Sequence, residues 1–330
     1  MPGDSPQVSE AEAQVLYWAT GSISFDDLRA GCISRSYYEQ QTSAVIDLEL
    51  FMNSLPDGDM HVLADYPNLK SLSLHVQAIP QVVGLEGMRQ LQRLSMTECG
   101  LTSMHGIECC KRLTFLDLSM NQIAEMDANV LQHLGQLQTL WMNENLVTQI
   151  EGLAPLKKLT TLWLARNQIS SIGDTLDANT ALTDLNLAAT AIGSFKDIPH
   201  LTRLRHLRTL AFSDLHYGES PVCALCNYQT YVLYHLQQLS RLDSVAIADE
   251  SRQLAEATYM KKKMYYNMRI KTLKRNTSNV IRKGMEARQA KASQVNLNLN
   301  VLIRQQKDVE REVHERDAAG NPSGTKAIEE

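Results

Sequence analysis

The spacing Leu-x-x-Leu-x-Leu-x-x-Asn-x-Ile recurs about every two dozen residues between Leu69 and Leu215. A chain written this way folds by stacking like units, each covering its neighbour's apolar edge. The first apolar positions are Leu69, Leu91, Leu113, Leu137, Leu159, Leu182 and Leu207, stepping along the chain by 22, 22, 24, 22, 23 and 25. Val45, Leu48, Leu50, Asn53 and Leu55 fall at the same offsets, one unit length before Leu69. They read as an eighth unit or as a cap.

Each unit opens with a short strand, because strand side chains alternate faces and the pattern alternates with them. Leu162 and Leu164 point inward; Thr161, Trp163 and Ala165 point out. The position filled by Asn53, Asn121, Asn145 and Asn167 lies where the chain leaves the strand. An inward amide there can pair turn N–H and C=O groups that burial would orphan. Gln77, Cys99 and Thr190 can do so in part, and Leu215, next in the series, cannot. On the convex side, units ending like Ile150, Gly152, Leu153 and Leu156 have room for a turn or a 3-10 segment. The longer units that start at Leu113 and Leu182 have room for a helical turn or two.

With 330 residues, 44% of them hydrophobic, the chain can bury a sizeable core along a rod rather than in a sphere. Met1 to Glu10 is polar and acidic, and no apolar run approaches the length that a bilayer core demands. Neither secretion nor membrane spanning is therefore expected. The cysteines Cys32, Cys99, Cys109, Cys110, Cys223 and Cys226 show no disulfide-framework spacing, which points to reduced thiols in a cytoplasmic protein. The net charge of −5 hides an asymmetry: Ser251 to Lys307 carries +12, which leaves −17 for the remainder. The chain is an acidic rod with a basic arm.

Five regions follow. Residues 1–44 are an N-terminal cap region, with a capping box at Ser9 and Glu12 starting one short helix and a second helix around Phe25 to Leu28. Residues 45–215 are the repeats. Residues 216–248 form a C-terminal cap that closes the last strand edge. Residues 249–316 hold no proline and one glycine, Gly284, among good helix formers, and form a basic helical arm. Residues 317–330 are a disordered tail. Along the arm, Leu254, Ala257, Met260, Met264 and Met268 make an apolar stripe, and Gly284 is a candidate hinge.

The concave face of such a rod is its preferred working surface. Its outward positions carry seven acids (Asp47, Glu49, Glu98, Asp117, Glu144, Asp184 and Asp214) against Arg93 and Arg166. Trp141 and Trp163 lie one repeat apart and therefore side by side on adjacent strands, roughly 4.8 Å apart. As an exposed pair they are binding anchors, unless they merely cover each other or lie under the arm. The candidate partner-binding residues here are Phe115, Asp117, Met120, Trp141, Glu144, Trp163, Arg166, Asp184 and Asn186. They suit a basic or amphipathic segment.

On the arm the candidates are Lys261, Lys262, Lys263, Arg269, Lys271, Lys274 and Arg275. These bases suit an acidic protein surface or phosphates, and the acidic rod disfavours extended contact with nucleic acid. Cys223 and Cys226 lack a second paired-ligand element, so two buried apolar thiols are expected rather than a metal site. No Gly-rich phosphate loop, His-Glu-x-x-His or nucleophile elbow is present. Neither catalysis nor a cofactor is expected.

The repeats resemble the 22-residue subclass of leucine-rich repeats shared by a phosphatase-1 regulatory subunit, the spliceosomal A-prime protein and an axonemal dynein light chain. Leu159 to Leu164 and Asn167 to Ile169, with Ile150-Glu-Gly-Leu153, carry that likeness. Pro221-Val-Cys-Ala-Leu-Cys-Asn-Tyr228, Val232 to Leu236 and Met264 to Leu273 are similar to the N-terminal part of the leucine-rich repeat-containing protein 9 family, a likeness extending back to about Leu48. Members of that family are usually longer, with further repeats downstream. The resemblance implies an α/β leucine-rich-repeat solenoid of about seven or eight repeats with end caps and a long C-terminal helix. It also implies a non-enzymatic interaction protein, with cilium or flagellum (axoneme) association. Phosphatase-1 regulation and a ribonucleoprotein role are the alternatives.

Overall fold

The computed structural model describes residues 8–20, 34–52, 55, 60–79 and 81–319. The expected Phe25–Leu28 helix, Asn53, Cys32 and residues 320–330 lie outside them. The chain forms two compact units, Met1–Tyr259 and Met260–Glu330.

In the first unit, inward leucines recurring at the repeat spacing produce one long sheet. Strands β1 (Asp47–Phe51), β2 (Ser71–His75), β3 (Arg93–Thr97), β4 (Phe115–Asp117), β5 (Thr139–Trp141), β6 (Thr161–Trp163), β7 (Asp184–Asn186) and β8 (Thr209–Ala211) pair in parallel, in chain order. The register sets Leu48, Leu72, Leu94, Leu116, Leu140, Leu162, Leu185 and Leu210 in a single column. All are buried. Asp47–Phe51 is therefore a paired repeat strand, not merely a cap.

A non-glycine residue in the left-handed region follows each of the first seven strands: Met52, Val76, Glu98, Met120, Glu144, Arg166 and Ala189, with φ of 52–60°. The twist lets the chain turn inward while its N–H still bonds the next repeat, as Glu144 N–H does to Ala165 O at 2.8 Å. The ladder comes next. Asn121, Asn145 and Asn167 are buried, and each amide bonds backbone groups in more than one repeat. Where the returning chain crosses its neighbour there is no room for a side chain: a Cβ on Gly84 would sit 2.8 Å from Met60 O, and one on Gly152 2.9 Å from Ala128 Cα. The longer units that start at Leu113 and Leu182 hold a four-residue helix, Ala128–Leu131, and a 3-10 stretch, Phe195–Arg203, matching the room expected on the convex side.

The ladder departs from expectation at its end. Leu215 is fully exposed, in the turn between β9 (Ser213–Asp214) and β10 (Gly218–Glu219). Its expected place is filled from further along the chain. Ser220 Oγ accepts the Thr190 N–H and donates to Leu187 O, and Asp243 Oδ1 accepts from the Phe212 and Ser213 N–H groups and the Tyr228 hydroxyl. The cap also extends the sheet before closing it, because β11 (Arg241–Leu242) pairs in parallel with β8, and β12 (Val245–Ala246) turns back antiparallel.

The N-terminal helix α1 (Glu10–Thr20) starts at the expected capping box, with Ser9 N–H donating to Glu12 and Glu12 N–H to Ser9 Oγ. A second helix, α2 (Arg35–Ala44), is capped by Ser34. Its Arg35 bridges Glu12, Glu39 and Asp65, tying α1 and α2 to the 3-10 segment Met60–Asp65.

In the C-terminal cap, after the four-residue helix α3 (Ala128–Leu131) already described, helix α4 (Tyr228–His235) seats the start of α5 (Asp249–Ala319). Arg252 donates to Leu239 O and Gln237 O, Ala255 is buried, and Tyr259 stacks on Tyr234 with centroids 3.8 Å apart. The docking residues are thus Arg252, Ala255 and Tyr259, whereas Leu254 and Ala257 of the expected stripe face solvent. Tyr259→Ala should raise hydrogen exchange over residues 250–259 about fivefold while leaving the melting temperature of the repeats within about 2 °C, since it removes ring contacts worth about 1 kcal/mol in one local seat.

In the second unit the helix runs unbroken through Gly284, so that glycine is not a hinge. Every described side chain from Met260 to Arg316 is exposed. Among the described residues no helix is long and apolar enough to cross a membrane.

Candidate protein-binding face

The outward positions of β3 to β7 bring five side chains into one row. Arg93 lies over the Phe115 ring, 4.1 Å from its centroid; Phe115 meets Trp141 edge-on at 5.1 Å; Trp141 stacks on Trp163 at 4.9 Å and 19°. The Trp163 indole N–H then donates to Asp184 Oδ1 at 2.9 Å. The parallel register makes this row, since Phe115 pairs Thr139 while Asp117, Trp141, Trp163 and Asn186 are successive partners. The indoles are half-buried rather than fully exposed, because each covers a face of the other. The Trp141 N–H is enclosed without an acceptor.

Acids flank the row. Asp117, Glu144 and Asp184 are half-buried. Burial pushes the Asp184 carboxyl above the ordinary range, and the Trp163 N–H and Arg241 partly offset this. Arg166 pairs with Glu144 at 3.2 Å, and Met120 stands at the rim, about half exposed. Asn186 is not available to a partner: it is buried, and its Oδ1 accepts the Ala188 N–H.

Tyr217 joins this face without a signal in the sequence. The β9–β10 turn places its phenol, half-buried, in the field of Glu144, Asp214 and Asp117, and burial followed by these three charges raises its pKa. Its place depends on a hairpin inserted after the last repeat, which the periodicity does not encode. The Arg93 stack is legible in the sequence only as one of two bases on the face.

The other candidates sort as follows. Lys261, Lys262, Lys263, Arg269, Lys271, Lys274 and Arg275 are exposed on α5. Cys223 is half-buried and Cys226 exposed, so the expected burial of both thiols fails at Cys226, which sits in the turn ahead of α4. Among the described residues no group of three or more His, Cys, Asp or Glu side chains is placed to hold a metal ion.

Residues 95–269, more than half of the chain, match the family described as "Leucine-rich repeat". Two solved structures with similar coordinates are internalins of Listeria monocytogenes. The internalin InlF is 18% identical, the match covering 66% of this chain and 61% of that one, with a TM-score of 0.49. Internalin C2 is 21% identical over 61% of this chain and 92% of its own, with a TM-score of 0.48. This chain thus spans about three fifths of the length of InlF.

Proposed function

We propose, from the premise that this chain belongs to the leucine-rich repeat family, that it is a non-enzymatic adaptor with two protein-binding surfaces. The concave face takes a basic or amphipathic segment, and the basic arm takes an acidic protein. The observation that carries this reading is the Phe115–Trp141–Trp163 row, its two indoles stacked and its phenyl edge-on, bordered by Asp117, Glu144 and Asp184. Aromatic rings at the centre of a face supply contact area and cation–π attraction, and the acids around them select a cationic side chain. Guanidinium lying on an indole with a carboxylate beside it is the contact this arrangement suits best.

The cellular setting we infer is a ciliary or flagellar assembly, which the likeness of Pro221–Tyr228, Val232–Leu236 and Met264–Leu273 supports. The second reading is phosphatase-1 regulation, favoured by the aromatic and acidic concave row.

Detergent extraction of ciliated cells expressing the tagged chain, followed by cross-linking mass spectrometry, separates them. Retention with axonemes, with cross-links from Lys261 to Lys274 into an axonemal protein, supports the adaptor. Release into the soluble pool with cross-links to a phosphatase catalytic subunit favours the second reading.

Asp184→Asn tests the role of charge separately from folding. The amide oxygen keeps the Trp163 acceptor while the buried charge disappears. Because the folded pKa is raised, ionisation of Asp184 opposes folding at neutral pH, a cost relieved as pH falls through that pKa. The variant should therefore melt no lower than wild type at pH 7 and bind an arginine-rich peptide about fivefold more weakly. An unchanged affinity would remove Asp184 from the site.

A further inference from the structure

The arm carries more than charge. At about 100° per residue, Tyr266, Ile270, Leu273 and Val280 fall on one face of α5, and Leu299, Leu302, Val309 and Val313 continue that same face. Each is 49–70% exposed. Between the two groups the face carries Thr277, Gly284, Arg288, Lys291 and Val295, with Ala287 at its edge, and a Cβ added at Gly284 would meet nothing. The seam extends ~70 Å at the helical rise. Isolated helices depend on packing an apolar stripe, and an exposed apolar surface of this extent marks an interaction site.

Charge decides what covers it. Lys263, Arg269 and Lys274 border the seam, Arg288 and Lys291 stand on it at its middle, and residues 260–291 hold eleven Lys or Arg against Glu286. A second copy aligned in parallel would set these bases against each other. Aligned antiparallel, it would offer residues 292–316, whose four bases and four acids cancel. Neither arrangement supplies the missing negative charge. A phosphate backbone would supply it but has no use for Leu273 or Leu302 at the centre of the face.

We propose that the seam from Tyr266 to Val313 docks an acidic amphipathic helix of another protein, with apolar residues meeting the seam's two apolar stretches and carboxylates meeting Arg288 and Lys291 between them and the bases along the borders. This rests on the reading of the arm as a tie to an acidic partner, and names the partner's structural class. The small residues Thr277, Gly284 and Ala287 let the two backbones approach most closely near Gly284.

The test uses the full chain and three synthetic helical peptides, read by fluorescence anisotropy at physiological salt. One has a leucine stripe bordered by Glu, one the same Glu content with Gln in place of the stripe, and one the leucine stripe bordered by Lys. The first should bind at least tenfold more tightly than the stripe-free control and, in a Trp141→Ala with Trp163→Ala variant whose concave face no longer competes for basic peptides, at least tenfold more tightly than the Lys-bordered control. It should lose at least tenfold on Leu273→Gln with Leu302→Gln, which circular dichroism should show to be equally helical. Trp141→Ala should leave its binding unchanged. Equal binding of the stripe-free acidic peptide would overturn the seam while leaving the acidic-partner reading standing. Failure of both acidic peptides, or tighter binding of a single-stranded RNA oligonucleotide, would overturn both. A full-length dimer in sedimentation that dissolves on Leu273→Gln with Leu302→Gln would make a second copy the occupant instead.

Discussion

At pH 7.5, Asn145→Asp should lower the melting temperature of the repeats more than Asn145→Ala does, although Asp is the closer match in shape. Asn145 is buried between repeats, its Oδ1 accepting the Ile123 N–H while its Nδ2 donates to the carbonyls of Leu118, Met142 and Asn143. Each of those carbonyls has another donor: Asn121 Nδ2 for Leu118, Asn167 Nδ2 for Met142, and Met120 N–H for Asn143. The alanine variant therefore orphans one buried N–H outright and weakens three shared bonds, a loss of about 2–3 kcal/mol. The aspartate keeps the acceptor but turns a carboxylate oxygen toward three carbonyl oxygens, where no cation offsets it, and should cost about 4 kcal/mol or more.

The sign of the pH dependence follows. An aspartate held there has a folded pKa above its unfolded value, so its cost is full at neutral pH and is relieved as pH falls through the folded pKa. The two variants should therefore converge by about pH 5. Equal melting at pH 7.5 would mean that the ladder amide is not the joint between units. Because each unit is held by its neighbours, the loss should spread from the unit at Leu137 to both sides in hydrogen exchange rather than stay local.

That ladder, like the leucine column, is legible in the sequence, since its position repeats with the strands and its chemistry is dictated by the orphan groups of a buried turn. What cannot be read there involves contacts made by other parts of the chain. Ser220 takes the place that Leu215 fails to fill, accepting the Thr190 N–H and donating to Leu187 O as Asn121 does with Cys99 and Met96, and Asp243, from beyond helix α4, accepts the N–H groups that follow the last repeat strand. Periodicity carries no information about either. The docking face of α5 escapes the pattern because Leu254 is the more apolar residue, yet the space against α4 suits Ala255 and the flat ring of Tyr259. Repeat spacing alone sets Trp141 beside Trp163, but their mutual cover depends on ring orientations that spacing does not specify. Asn186 looks exposed by position and is buried, because its amide turns back to the Ala188 N–H.

The mutual cover of the indoles shapes the second large prediction. Trp141→Ala with Trp163→Ala should weaken binding of an arginine-rich amphipathic peptide at least a hundredfold, about 2.7 kcal/mol, while the chain still unfolds in one cooperative transition. Some stability must be lost, since the stack, the Phe115 edge contact and the Trp163–Asp184 bond all go; about 1–3 kcal/mol is expected from partly exposed rings. The two single variants should not add up to the double. Removing Trp163 strands Asp184 and uncovers Trp141, and removing Trp141 uncovers Trp163 and Phe115, so each single change already spoils the shared platform. Trp141→Phe with Trp163→Phe keeps flat apolar rings but no indole N–H, and should recover most of the stability and part of the affinity. An affinity left within threefold of wild type in the double alanine variant would show that the stack holds the repeats together rather than a partner. In that case the acids bordering it would be solvating charges, and the binding surface would have to be sought closer to Tyr217 and Asp214.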